Sequence, residues 1–275
     1  MKRLLLIGLC AFAVSCTKED NPKIVIDPLI PFSVLDSIVE MHPKNDSNTV
    51  IRFNYNADLQ LISGQFLPFS KHPDWNAINW TLKYNTNKQL SIINTDYTTG
   101  HYQDTSYYIN TKKQIVQHYF SGKLSSTDTL LYNGSGQVTK AINVSEFSFK
   151  TDTLIYDGLK LLEIMTYNGT IEHNVLIETY KYTYDNSPNI YASIQMLSMP
   201  GWFKNYVFHQ HFTSPNNVTK VDWIIYGDTL RVTYAYQFDS SQKTATANAH
   251  YGWLNNGSTE EYGSDDFTIK YYFRK

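Results

Sequence analysis

A short unit recurs along the chain and decides what it can fold into. It reads YNADLQL from Tyr55, YNTNKQL from Tyr84, INTKKQI from Ile109 and YNGSGQV from Tyr132. Later copies are YDNSPNI from Tyr184, FTSPNNV from Phe212 and a degraded FDSSQKT from Phe238, and YDGLKL from Tyr156 is one residue shorter. An aromatic or aliphatic residue is followed, after a run of Asn, Asp, Gly, Ser or Pro, by an aliphatic one. Such a unit is a hairpin: a strand ends on the aromatic residue, the polar residues turn the chain, and the aliphatic residue opens the return strand across from it. A second set of turns, such as YNGT at 167–170 and YGDT at 226–229, must join the units. Eight units with flanking strands predict an antiparallel meander of roughly 16–18 strands.

The segments between turns alternate with period two. In LRVTYAYQF, Leu230, Val232, Tyr234, Tyr236 and Phe238 share one face, and in FTIKYYF so do Phe267, Ile269, Tyr271 and Phe273. Tyrosine is conspicuous, with 22 copies in the 275-residue chain, and aromatic and β-branched residues suit a half-buried pleated surface. A flat ribbon could not hide such faces, so the sheet must curl or close into a barrel-like, all-β shape. The short unit at Tyr156 and Thr244, where an aliphatic residue is expected, leave the register open at those points. After the first 15 residues no stretch keeps a helical period.

The chain opens Met1, Lys2, Arg3 and then LLLIGLCAFAV. This apolar run is shorter than the roughly 20 residues a spanning helix needs and reads as a secretory signal. Ser15 followed by Cys16 resembles the lipobox of bacterial lipoproteins. The resemblance implies a signal peptide over 1–15 and a lipid on Cys16; residues 16–33 then read as a lipidated tether and 34–275 as a single β-meander domain. Lys18, Glu19 and Asp20 resemble the surface-export signal of Bacteroidetes-type lipoproteins; the alternative is a merely solvated tether. Pro22, Pro28 and Pro31 favour an extended spacer. The expected location is the outer membrane, lipid-anchored and exposed at the cell surface, with the membrane a partner through the anchor alone.

Cys10 and Cys16 are the only cysteines. With one removed and the other acylated, cysteine nucleophiles, CxxC redox chemistry and cysteine-bound zinc are excluded. The net charge is −2 before Lys2 and Arg3 are lost with the signal, which disfavours nucleic acid as a partner. No GxSxG, HExxH or phosphate-cradling glycine loop is present. His209 and His211 in FHQHF have ligand-like spacing, but no third ligand is indicated. Glu260, Glu261, Asp265 and Asp266 read as one solvated acidic loop. The expectation is a protein that is not an enzyme, with no metal and no cofactor.

The aromatic-turn-aliphatic units resemble weak YD repeats of Rhs- and teneurin-like shells. The whole arrangement, over about residues 34–275, resembles an uncharacterised Bacteroidetes lipoprotein family with a porin-like β fold, which supplies no catalytic residues. Trp80 is in phase with Leu82 and Tyr84 and reads as core, whereas Trp223 stays open. Trp75, Trp202 and Trp253 fall in the longer connections and are expected to share a rim with Phe69 and Phe203. Two readings of that rim stand: an inward plug, or an aromatic platform for a glycan or protein ligand. The functional expectation is a surface-anchored binding or interaction protein. The alternatives are a structural envelope component and an outer-membrane β-barrel; mid-strand charges such as Lys181 and Arg231 oppose the latter. Asp36–Ile38, Asp128–Leu130, Asp152–Leu154 and Asp228–Leu230 resemble Bacteroidetes O-glycosylation sites, but Asp-Thr-Leu also starts a strand well.

Overall fold

The structure, a computed structural model, describes residues 34–42, 47–69, 77–97, 100–169, 174–193, 214–240, 243–256 and 258–274. They form sixteen strands in chain order: β1 (Val34–His42), β2 (Ser47–Tyr55), β3 (Leu61–Phe69), β4 (Ile78–Tyr84), β5 (Leu90–Tyr97), β6 (Gly100–Asn110), β7 (Lys113–Phe120) and β8 (Lys123–Tyr132). The second half comprises β9 (Val138–Ser145), β10 (Phe149–Asp157), β11 (Lys160–Gly169), β12 (Asn174–Pro188), β13 (Asn216–Ile225), β14 (Asp228–Phe238), β15 (Thr244–Leu254) and β16 (Glu261–Arg274). Each strand pairs antiparallel with its sequence neighbours, and β1 pairs with β16, so the meander closes into a barrel without a free edge. Among the described residues one 3-10 turn, Ile190–Ser193, follows β12.

Both chain ends of the barrel meet at one end, where Val34 faces Arg274. We call this end proximal and the opposite one distal. The recurring hairpins all lie at the proximal end, and their side chains explain the repeat. Asn56, Asn85 and Asn133 each accept, through Oδ1, the backbone N–H groups two and four residues on. Each then donates Nδ2 to the Gln four residues on, at 3.1, 3.0 and 2.8 Å. This Asx-turn chemistry closes the loop locally. The residue before each Gln takes a left-handed backbone, with φ of 59° at Leu59, 61° at Lys88 and 77° at Gly136.

The tyrosine opening each unit ties that hairpin to the preceding one. Tyr55 donates its hydroxyl to Leu35 O (2.7 Å), Tyr84 to Leu61 O (2.7 Å), Tyr108 to Leu90 O (3.0 Å), Tyr156 to Val138 O (3.0 Å) and Tyr184 to Leu161 O (2.5 Å). Tyr132 instead donates to Gln114 Oε1. The aliphatic member lies across from its tyrosine as expected, in the pairs Tyr55–Leu61, Tyr84–Leu90, Tyr132–Val138 and Tyr156–Leu161.

Three frames differ from the sequence reading. In the unit read from Ile109 the ladder residue is Tyr108, because Asn110 pairs directly with Lys113 and the turn shortens; Ile109 is exposed. The units read from Tyr184 and Phe212 are two ends of one long connection, since Tyr184 pairs with Val218. In the last unit Ala245, not Thr244, faces Phe238.

The inward face is apolar and aromatic over most of the circumference. Leu35, Ile38, Phe53, Leu82, Ile93, Val221, Val232, Ala247, Ile269 and Tyr271 are all buried. Trp80 is core, edge-on to Phe53 at 6.5 Å. Its ring lies over Gly64, where a Cβ would come within 2.2 Å of Cζ2, so only glycine fits on the facing strand. At the proximal end the chain after β12 turns inward. Ile190 and Tyr191 are buried, Ile190 N–H donates to Asn217 Oδ1 at 2.8 Å, and Tyr191 reaches the Tyr271 hydroxyl at 3.1 Å.

The outward face mixes charged residues with exposed apolar ones such as Ile62, Tyr107, Ile155, Leu162 and Tyr272. One register carries Glu163, Lys181, Asp222 and Arg231 side by side across β11 to β14. Arg231 donates Nε to Asp222 Oδ1 at 2.7 Å, and Lys220 approaches Asp222 at 3.2 Å. Partial burial pushes the Asp222 carboxyl up, but bonds from Arg231 and Lys220 outweigh it and hold the group below the usual carboxylate range.

Candidate functional site

From β6 to β12 the inward face changes character. Asp104, Ser106, Gln114, Asp128, Asp152 and Thr166 point inward there and are buried. The acids follow a pattern within the repeat: Asp-Thr-x-x-Tyr at 104–108, 128–132 and 152–156. Four residues is an even number, so in a strand the acid shares the inward face of the ladder tyrosine. The Asp-Thr-Leu segments at Asp128 and Asp152 therefore lie within strands, with their acids sequestered at 2% and 1% exposure.

His118 on β7 bridges two of these acids. Its Nδ1–H donates to Asp104 Oδ1 at 2.7 Å, and its Nε2–H faces Asp128 Oδ2 at 3.1 Å. Asn143 Nδ2 donates to Asp128 Oδ1 at 2.5 Å, extending the chain across four adjacent strands. Burial works against a charge on His118, but the bonds and fields of Asp104 and Asp128 overcome it and raise the imidazole to about 10. The ring is therefore an imidazolium at neutral pH, which leaves it no lone pair with which to act as a base. Asp104 Oδ2 is buried with no hydrogen-bond partner among the described residues. Next along the wall, Asp152 accepts from Thr166 Oγ1 at 2.8 Å.

Toward the distal end the acid of β12, Glu178, meets an aromatic stack. Glu178 Oε2 accepts from Trp223 Nε1 at 2.9 Å and from the Tyr180 hydroxyl at 3.2 Å. The Tyr180 and Trp223 rings are stacked 5.7 Å apart at 4°, and Trp253 lies 6.2 Å beyond Trp223, tilted by 46°. Burial and the Glu178 charge push the Tyr180 hydroxyl well above its ordinary range. Glu178, Tyr180, Trp223 and Trp253 are all half-buried, in contrast to Tyr182, Val221 and Val232 deeper on the same face. These four residues line a distal mouth of the barrel.

The expected rim residues are distributed differently. Trp253 lies on β15, facing Leu230 and Tyr262, not in a loop. Phe69 is the last residue of β3. Trp75, Trp202 and Phe203 lie outside the described residues, as do His209 and His211, Cys16, Lys18, Glu19 and Asp20. The connection after β3 leaves from the distal end and that after β12 from the proximal end, so the long connections are not all at one end. The pairing of Tyr184 with Val218 merges two units and shifts the second connection to the opposite side.

Nor do Glu261, Asp265 and Asp266 form a loop. They lie on β16, where Asp265 points inward and is buried while Asp266 and Glu261 grip His250 from outside, both at 2.7 Å. Those two bonds raise the His250 imidazole above its ordinary range. Among the described residues no group of three or more His, Cys, Asp or Glu is arranged to hold a metal ion.

No protein-family model matches the chain, and no curated protein matches it. Solved structures similar to it include two porin-like proteins. A porin-like protein from Bacteroides uniformis aligns over 89% of this chain and 98% of its own, with a TM-score of 0.52 and 13% identity. A porin-like protein from Bacteroides vulgatus aligns over 88% and 99%, with a TM-score of 0.39 and 10% identity. At 13% identity the first defines the fold and nothing further: a porin-like, closed antiparallel β-barrel.

Proposed function

We propose that the chain is a lipid-anchored barrel of the outer membrane, exposed at the cell surface. In this reading its wall stays in water and it works as a non-enzymatic binding protein for a glycan or protein ligand. Cys16 carries the lipid, residues 16–33 span from lipid to barrel, and Lys18, Glu19 and Asp20 direct export. The observation that carries the reading is the row of charges across the outward face of the wall. A spanning barrel turns an apolar band outward and a polar lumen inward. Here the outward row Glu163–Lys181–Asp222–Arg231 crosses mid-wall, and the buried aliphatic and tyrosine side chains point inward. A Lys or Arg facing lipid at the bilayer midplane costs about 2–4 kcal/mol, falling toward the interfaces, and the wall adds the exposed Lys270 on β16. The porin-like fold alone favours the second reading, an outer-membrane barrel, and the outward charges count against it.

Deleting residues 1–16 decides between them. The truncated chain should purify as a soluble, folded β protein without detergent. A truncated chain that stays in the membrane fraction and needs detergent for extraction would overturn the water-facing reading.

A further inference from the structure

We propose that the distal mouth is a saccharide site, with Glu178 as hydroxyl acceptor and Tyr180, Trp223 and Trp253 as its aromatic wall. This deepens the binding-protein reading and rests on it. Barrel mouths are a preferred place for ligand sites, which combine apolar or aromatic walls with a few fixed polar groups. Both parts are present. Glu178 is oriented by two donors on the same oxygen, Trp223 Nε1 and the Tyr180 hydroxyl. Its Oε1 makes no hydrogen bond to any described residue and is not sealed from solvent. A carboxylate so held is fixed before a guest arrives, and it offers one open acceptor to a hydroxyl donor. The rings beside it are half-buried and locked against one another, so little side-chain entropy is lost when they meet the C–H faces of a sugar.

The surroundings favour a hydroxyl-rich guest over a peptide. The inward group at the edge of the neighbouring strand is Asn168, which is exposed and can bond hydroxyl groups, whereas Thr166 and Asp152 are buried and bonded to each other. An extended peptide binds a β protein chiefly by adding to an open sheet edge, and this barrel has none.

The test is isothermal titration of the full-length chain, held in detergent, with soluble malto-, cello-, xylo- and chito-oligosaccharides. Because detergent carries the anchor, the titration reads binding whether or not the truncated chain is soluble, so the two proposals fail independently. At least one oligosaccharide series should bind. Glu178→Gln keeps the acceptor for Trp223 and the shape of the site while removing the charge; it should weaken binding about ten-fold or more, as loss of a charge-assisted hydrogen bond does. Trp253→Ala should weaken it several-fold, and if that variant fails to fold, Trp253→Phe serves in its place. Trp80→Phe, in the core of β4, should leave affinity unchanged. Absence of binding in all four series, or wild-type affinity in Glu178→Gln, would overturn the saccharide site.

Discussion

His118 shows how one buried residue makes the whole fold pH-dependent. Its imidazolium is compensated on both nitrogens by Asp104 and Asp128. In the unfolded chain the ring titrates near 6.5, whereas in the barrel it is raised to about 10. A raised folded-state value means the native state binds the proton more tightly. The stabilisation is therefore complete below the unfolded value and is lost as pH rises through the folded one. Stability measured by urea unfolding should fall between about pH 6.5 and pH 10, by roughly 1–3 kcal/mol. His118→Gln should be less stable at neutral pH, because it leaves two buried carboxylates facing a neutral amide, and it should flatten that slope. A variant with the wild-type slope would mean that other groups carry the pH dependence. His118 is one of eight histidines, and nothing local in the sequence joins it to Asp104 and Asp128, so this arrangement was not legible. The partners lie 14 and 10 positions away and meet only through strand register. A signal was nonetheless present, since Asp-Thr stands four residues before three of the ladder tyrosines, Tyr108, Tyr132 and Tyr156. The resemblance of those segments to modification sites obscured their even spacing, which points the acid inward.

At the scale of one hairpin, the recurring unit carries two separate functions. Asn and Gln shape the turn, and tyrosine fastens it to its neighbour. The second function predicts that Tyr84→Phe removes the bond to Leu61 O without disturbing the Asn85–Gln89 turn. The expected cost is about 1 kcal/mol, the net worth of one hydrogen bond with the carbonyl left short of a partner. Tyr55→Phe should cost a similar amount, and the double variant should approach the sum, because each hydroxyl serves a different carbonyl. Strong non-additivity in thermal or chemical unfolding would argue that the ladder acts as one unit. The strand class and inward faces were legible here because period-two alternation and turn residues coincide, as in LRVTYAYQF, whose Val232 and Tyr234 are buried. The frame at Ile109 was not, because Tyr107 and Tyr108 are adjacent and only register tells which one faces inward. Trp253 reads from the sequence as part of a longer connection, HYGWLNNGS, whereas it lies within β15. Gly252 lies within that strand, where a Cβ would come within 2.7 Å of the Glu261 carboxylate and displace the side chain that holds His250.

For the molecule as a whole, the decisive contact is the seam between β1 and β16. Strands at opposite ends of the described chain pair there, and Arg274 clasps them. Its Nε meets Asp36 at 3.1 Å, its Nη2 donates to Phe53 O at 2.9 Å, and its guanidinium lies 5.2 Å from the Tyr55 ring centroid. Closure removes the two open edges that an all-antiparallel sheet would otherwise offer to other chains. The seam has the same antiparallel pairing as every other strand junction, so the barrel should not depend on where its backbone is cut. The turn between β7 and β8 suits a cut: Ser121 and Gly122 have φ of 49° and 80°, and no atom crowds the space beside Gly122. Because Val34 and Arg274 are paired neighbours, a short Gly/Ser linker can join them. A permutant beginning at Gly122 and ending at Ser121 should keep the near-ultraviolet circular dichroism of the parent, with a melting temperature only a few degrees lower. Deleting β16 from the unpermuted chain should do the opposite, exposing β1 and β15 as edges and driving aggregation. A permutant that aggregates as readily as the deletion would mean that the order of strand formation from the original chain ends is needed to close the barrel.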